Sequence, residues 1–235
     1  MEYNGRSLRH ELKFLISPVQ QQVLRERLRL FLEPDAHNRT EGYRVTSLYF
    51  DDIYASGYQE KLSGINDRRK YRLRYYDLDT GFLRLEVKHK NGSLVSKQGV
   101  TVTAQEAQSM LDQDFHFAEG REERALCKAW MAHQTTGLKP VLLADYFREA
   151  YVSPFGNVRI TFDSRLQAAL PPSMLQEKPY WHLIMTEESI LEVKFDDFLP
   201  SYIDALLAPL SLTHLSLSKY ILCRDKLQEV QHHAL

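Results

Sequence analysis

The chain has 235 residues, 43% of them hydrophobic, enough for one sizeable core or for a barrel with helices packed outside it. Thirty Lys and Arg against 31 Asp and Glu leave a formal net charge of −1, so no overall basic field points to nucleic acid or to an anionic membrane surface. Any anion site must come from local clustering.

Two-residue alternation marks a first strand over residues 9–17. Ser17 as cap, Pro18 at the first helical position, and Val23, Leu24, Leu28 and Phe31 at helical spacing predict a helix that stops before Pro34. Strands follow at 43–50, 70–76, 82–90 and 95–103, with hairpin signals at 77–81 and 91–92. Thr103 and Glu106 form a capping box for a short helix ending near Asp114. Residues 121–134, with Leu126, Cys127, Trp130 and Met131 along one side, predict another helix, ending before Gly137. Further strands are expected at 141–151, 157–163 and 189–195, and further helices at 173–185, 201–208 and from Ser218 to the end. Cys127 and Cys223 lack CxxC or metal-ligand spacing and read as reduced, buried thiols within helices. No signal peptide or membrane-spanning run is legible, and a cytoplasmic protein of one domain, 1–235, without direct membrane insertion, is expected.

Residues two apart in a strand share a face, so each run sorts into two surfaces. Arg9, Glu11 and Lys13 oppose Leu12, Phe14 and Ile16; Lys70, Arg72 and Arg74 oppose Tyr71, Leu73 and Tyr75. Arg84, Glu86, Lys88 and Lys90 oppose Leu83, Leu85 and Val87; Arg159, Thr161 and Asp163 oppose Val158, Ile160 and Phe162. Glu192 and Lys194 oppose Leu191, Val193 and Phe195, and Leu-Glu-Val-Lys occurs twice, at 85–88 and 191–194. Taken singly, each strand has the pattern of a solvent-facing sheet packed on helices. Taken together, matched Arg and Lys with a sparse set of Glu favour an α+β fold. In it a closed antiparallel β-barrel of about eight strands carries its apolar side outward against helices, and the charges line a wet bore. Such a bore suits a linear polyanion.

The segments RHELKF, SLYFDD, YQEKLSG, RRKYRLRYY, LEVKHK, VSKQGV, YFREAY, VRITFDSRL, LEVKF and LSKYIL occur in this order along nearly the whole chain. As a set they resemble the catalytic domain of the VTC (vacuolar transporter chaperone) polyphosphate polymerases, within the triphosphate tunnel metalloenzyme (CYTH-like) superfamily. The resemblance implies a tunnel in which basic residues hold a triphosphate and a Glu holds Mn²⁺ or Mg²⁺. It assigns phosphate binding to Lys13, Arg72, Arg74, Lys88, Lys97, Arg148, Arg159 and Lys219, with Lys194 on the same face. Arg72, Arg74, Lys88 and Arg159 are the candidate catalytic residues. Glu192 falls at the metal-binding position, with ion pairing to a tunnel Arg as the alternative, and Glu11 and Glu86 are candidates for supporting it or for further metal contacts.

The implied reaction moves the γ-phosphoryl group of ATP to the end of a polyphosphate chain. Hydrolysis of tripolyphosphate or a nucleoside triphosphate, and non-catalytic binding of polyphosphate, are the alternatives. Where the superfamily's triphosphatases begin with ExExK, this chain has Arg9-His10-Glu11-Leu12-Lys13, which loses one acidic position and favours the polymerase branch. The eukaryotic polymerases also carry membrane helices that these residues do not show, so a separate membrane protein is an expected partner.

Overall fold

A computed structural model of the chain describes residues 2–3, 6–7, 9–38, 41–92 and 94–233. Eight strands are named here in chain order: β1 (Arg9–Ile16), β2 (Tyr43–Asp51), β3 (Arg68–Tyr76), β4 (Asp79–Asn91), β5 (Leu94–Val102), β6 (Lys139–Ser153), β7 (Val158–Ala169) and β8 (Ser189–Phe195). The helices are α1 (Pro18–Phe31), α2 (Ser56–Leu62), α3 (Ala104–Leu111), α4 (Arg124–Thr136), α5 (Ser201–Leu207) and α6 (Lys219–His233). The strands pair antiparallel in the order β1-β5-β4-β3-β2-β6-β7-β8, and β8 returns to β1, so the expected barrel closes. Closure leaves no long edge for another chain to extend.

The outward faces carry the apolar alternates and are covered by helices. Leu24 and Leu28 of α1 and Ile203 and Leu207 of α5 pack with Phe14, Ile16, Ile160, Phe162, Leu191 and Val193. On another side α3 and α4 supply Ala107, Met110, Leu111, Ala125, Leu126 and Ala129 against Leu73, Leu83, Leu85 and Val87. Each fully buried Leu or Ile contributes about 1.5–3 kcal/mol relative to exposure. The caps read from sequence are in place: Ser17 and Gln20 exchange hydrogen bonds at 3.2 and 2.9 Å, Thr103 and Glu106 at 3.1 and 2.7 Å. Gly137 ends α4 at φ 66°, a left-handed conformation that glycine adopts without a Cβ penalty.

Helix α6 is different, because it packs on the inner wall. Tyr220, Ile221, Cys223 and Leu227 cluster with Leu142, Ala144, Tyr146, Ala168 and Ile190. In β6 those residues alternate with the same phase as Arg148, so α6 fills one part of the barrel interior. The inner face is therefore charged over only part of its area, which corrects the expectation of a bore charged throughout. Asp51, at the end of β2, ties this helix to its neighbour: it accepts from Gly57 N (2.8 Å) and Tyr58 N (3.2 Å) of α2 and from Tyr220 and Arg224 of α6.

Other expectations need correction. No helix forms at 173–185, because Pro179 in mid-segment lacks an N–H and clashes with the preceding turn; the stretch is irregular apart from His182–Leu183, which pairs with β7. The first hairpin turns at Asp77 and Leu78, both left-handed (φ 50° and 60°), a two-residue connection tighter than the 77–81 loop expected. Helix α2 is unannounced by periodicity. Both cysteines are free and helical, but only Cys223 is buried; Cys127 is half-buried.

Leu28 is fully buried between α1 and the barrel wall, away from the interior. Leu28→Ala is expected to lower unfolding free energy by about 2–5 kcal/mol, read from chemical denaturation.

Candidate functional site

Strand register brings the inner-face charges together. Glu192 of β8 stands opposite Lys13 of β1, and Lys194 opposite Glu11; Arg72 of β3 stands opposite Glu86 of β4, and Lys70 opposite Lys88. The side chains enclose a cavity of about 220 Å³ lined by Lys13, Lys61, Arg68, Lys70, Arg72, Arg74, Lys88, Lys90, Arg148, Lys194 and Lys219, against two carboxylates, Glu11 and Glu192. Eleven cations around two anions, in a chain of net charge −1, form the local cluster that composition alone hides.

The mouth follows from the barrel's weakest seam. Strands β1 and β5 pair only at Arg9–Val95 and His10–Leu94. Beyond that point the β1 edge is met by 214–215, where Phe14 bridges His214 and Leu215 N donates to Lys13 O at 2.8 Å. This stretch, the β4–β5 hairpin and α2 supply His214, Ser216, Lys90 and Lys61 to the cavity rim.

Four carboxylates organise the cations. Glu86, 1% exposed, accepts from Arg72 Nε (2.8 Å) and Lys97 Nζ (2.8 Å), with Arg74 at 3.5 Å. Glu11 holds Lys88 at 2.6 Å and Lys13 at 3.0 Å. Glu192 is met by Lys219 and Lys194 at 3.0 Å, Lys13 at 3.2 Å and Arg148 at 3.7 Å. Asp163 takes both Nε and NH2 of Arg148, at 2.6 and 2.7 Å, and Lys219 at 2.5 Å. Burial pushes all four carboxyls towards the neutral acid, yet the cations around each hold it below the usual carboxylate range. For Glu192 these are Lys13, Lys194, Lys219 and Arg148; for Glu86, Arg72, Arg74 and Lys97.

The lysines respond in opposite directions. Burial works against the charge of Lys13 and Lys219, but Glu11 and Glu192 raise the first, and Asp163 and Glu192 the second. For Lys88 burial wins despite Glu11, with Lys13 and Lys194 adding repulsion, and its ammonium falls to about 7. Lys97 and Lys194 are also lowered, chiefly by burial.

The arginines differ in how much of their fork is already used. Arg72 and Arg148 each give two nitrogens to a carboxylate. Arg74 is held loosely, 3.5 Å from Glu86 and 3.5 Å from Tyr146 Oη, and its buried Nε has no protein partner among the described residues. Arg74 therefore keeps the most donors for a phosphate, which an arginine grips with two parallel hydrogen bonds.

Of the residues singled out from sequence, Glu11, Lys13, Arg72, Arg74, Lys88, Arg148, Glu192, Lys194 and Lys219 line one cavity. Glu86 lies directly behind it. Lys97 is half-exposed, reaching Glu86 from the β5 side. Arg159 lies on the inner face beyond the cavity, paired with Asp35 at 3.0 Å and with Tyr43 Oη at 2.9 Å. Sequence reasoning placed Lys70 on the right face without assigning it to the site, read Tyr49 as a packing or hydrogen-bonding residue, and passed over Lys61, Arg68, Tyr146 and Ser218. Alternation exposes Lys70; Lys61 and Ser218 come from a helix and a loop whose approach to the mouth has no local signal.

A divalent cation has a partial fit. Glu11 and Glu192 share the Lys13 ammonium, so two hard oxygen donors adjoin the cavity, and Mg²⁺ is usually held by one or two carboxylates plus substrate phosphates. No group of three or more His, Cys, Asp and Glu suited to a metal occurs among the described residues. An ion held there would need phosphate oxygens to complete its shell.

Glu86→Gln leaves three cations without their carboxylate and is expected to cost about 3–5 kcal/mol at pH 7. A depressed carboxyl contributes stability above its unfolded value, about 4.3, and loses it as pH falls through the folded one. The gap between wild type and Glu86→Gln should therefore shrink as pH falls below about 4 in a urea-denaturation series, since protonation makes the two side chains alike. A gap independent of pH would show that Glu86 is not the stabilising charge.

The sequence matches the family model described as VTC domain over residues 8–228. Among solved structures, the chain is similar to a Bacillus halodurans protein given as a candidate adenylate cyclase, at 14% identity and a TM-score of 0.57, over 91% of this chain and 95% of that one. It is also similar to the PH1819 protein of Pyrococcus horikoshii OT3, at 14% identity and a TM-score of 0.50, over 93% and 99%. No curated protein matches significantly. At such identity the two structures speak for the fold alone, while the family match spans most of the chain: this protein belongs to the VTC domain family.

Proposed function

We propose that the protein is a polyphosphate polymerase that transfers the γ-phosphoryl group of ATP to the end of a phosphate chain held in the barrel. The family and the tunnel fold support an activity on polyphosphate or triphosphate. The observation that carries the reading is the cavity lined by eleven Lys and Arg side chains against two carboxylates, an excess of basic groups that a row of phosphates complements.

Transfer is favoured over hydrolysis by the state of the carboxylates. Activating water needs a base, and each of Glu11, Glu86, Asp163 and Glu192 is held by at least two cations and below the ordinary carboxylate range. Such groups are weak proton acceptors. A terminal phosphate is already anionic and needs no base; it needs placement and neutralisation of charge.

In this reading Arg72 and Arg74 bind the transferring phosphoryl group, Lys88 and Lys194 flank it, and Arg148 and Lys219 align the neighbouring phosphate. Lys97, beside Glu86, and Arg159, beyond the cavity, extend the basic surface. A Mg²⁺ or Mn²⁺ ion on Glu192, with Glu11 in reach, would neutralise phosphate oxygens as a Lewis acid. No protein nucleophile is required.

Purified protein with γ-labelled ATP and Mn²⁺ or Mg²⁺ is expected to give a ladder of polyphosphate on a gel. Arg72→Ala and Arg74→Ala should each lower its yield about 100-fold or more, as expected for removing charge stabilisation at a transferring group. Orthophosphate as sole product would replace the polymerase with a hydrolase. Salt-sensitive polyphosphate binding without turnover under either metal would leave a binding protein, with a separate membrane protein as its natural partner.

A further inference from the structure

Lys70 is the anomaly of the cavity. Lys13, Lys88, Lys194 and Lys219 each meet a carboxylate within 3.2 Å. Lys70, on the same wall, forms no ion pair among the described residues. Its Nζ donates to Ser218 Oγ at 2.7 Å and lies 5.3 Å from the centre of the Tyr220 ring. The charges that act on it most strongly are cations, Lys13 from β1, Lys88 from β4, Arg68 from its own strand and Lys61 from α2, while Glu11 in the same cavity is engaged by Lys13 and Lys88. Lys61 shows the same arrangement nearer the mouth, tied to Ser216 Oγ at 2.6 Å. Two neighbouring ammonium groups are thus held by hydroxyls of 216–218 rather than by carboxylates.

We propose that Lys70, aimed by Ser218 and Tyr220, is the anchor of a mouth-side subsite for the outer phosphates of the chain. The inference rests on the phosphate-chain reading and extends it, because Lys70 lies towards the mouth from Arg72 and Arg74 on the same face of β3. A hydroxyl partner holds the amine in position without neutralising it, so an arriving phosphate meets no competing carboxylate there. Burial, then Lys13, Lys88, Arg68 and Lys61, hold the free amine well below its ordinary range, and a bound phosphate reverses that preference. Binding at this subsite therefore draws a proton onto Lys70.

The test is calorimetric titration with tripolyphosphate at pH 8, in two buffers of different ionisation enthalpy, on wild type, Lys70→Met and Lys70→Arg. Wild type is expected to bind with net proton uptake. Lys70→Met should bind about tenfold more weakly or worse, the loss typical of one hydrogen bond to a charged group. Its thermal unfolding without tripolyphosphate should match or exceed wild type, since an amine with no carboxylate partner gives way to an apolar side chain of similar length. Lys70→Arg should keep most of the affinity and take up fewer protons, because guanidinium stays charged. Unchanged affinity in Lys70→Met overturns the anchor and leaves the functional reading standing, whereas absence of binding by wild type overturns both. If Lys70→Met does not fold, undiminished proton uptake in Lys70→Arg overturns the proposal.

Discussion

The closed barrel depends on how its inward-facing cations are compensated. Closure forces every second residue of eight strands into a shared interior, and in β1, β3, β4 and β8 most of those residues are Lys, Arg and Glu. Charges taken out of water cost several kcal/mol each unless paired with good geometry. Register supplies the pairing: Glu192 opposite Lys13, Lys194 opposite Glu11 and Arg72 opposite Glu86 are direct cross-strand neighbours. A slip of one residue in any of these pairs would put leucines inside and charges under the helices, so the charged interior also fixes the register of the wall.

The interior is divided rather than uniform. On one side α6 fills the barrel with Tyr220, Ile221 and Cys223 against Leu142, Ala144 and Ile190; on the other the cations surround open space. Lys219 joins the two parts, because the first residue of α6 carries the ammonium that bridges Asp163 and Glu192. Asp51 holds both this helix and the start of α2, which presents Lys61 at the mouth. A buried carboxylate outside the cavity thus fixes the position of residues within it.

The barrel was legible because alternation is a local property: eight runs, their faces, the Ser17 cap and the Thr103–Glu106 capping box could be read directly from residue types. The twin Leu-Glu-Val-Lys segments play similar parts, since Glu86 and Glu192, three strands apart around the barrel, are each a hub of three or more cations. What alternation conceals is which inner positions meet a helix. Leu142, Ala144 and Tyr146 share a face with Arg148, and only the tertiary path of α6 decides that the first two are dry. Helix α2 was missed because its N-terminus is held by Asp51, from the preceding strand, rather than by a residue of its own. The helix expected at 173–185 is absent because Pro179 interrupts the segment.

The internal ion pairs bear on how such a site can release what it binds. An interior of bare cations would hold a polyanion too tightly to let it advance, and would be costly to fold without one. Here most tunnel cations have an internal carboxylate within hydrogen-bond reach, so a phosphate entering the bore exchanges one anionic partner for another instead of gaining a partner outright. The net preference at each step is then a difference between two similar interactions, small enough to reverse as the chain shifts. Lys61 and Lys70, held by hydroxyls, and the loosely held Arg74 stand outside this exchange, and binding energy is expected to concentrate there, with two of the three on one face of β3. On the proposed reading, a chain could be gripped at two points on β3 while its remaining phosphates move between evenly matched partners.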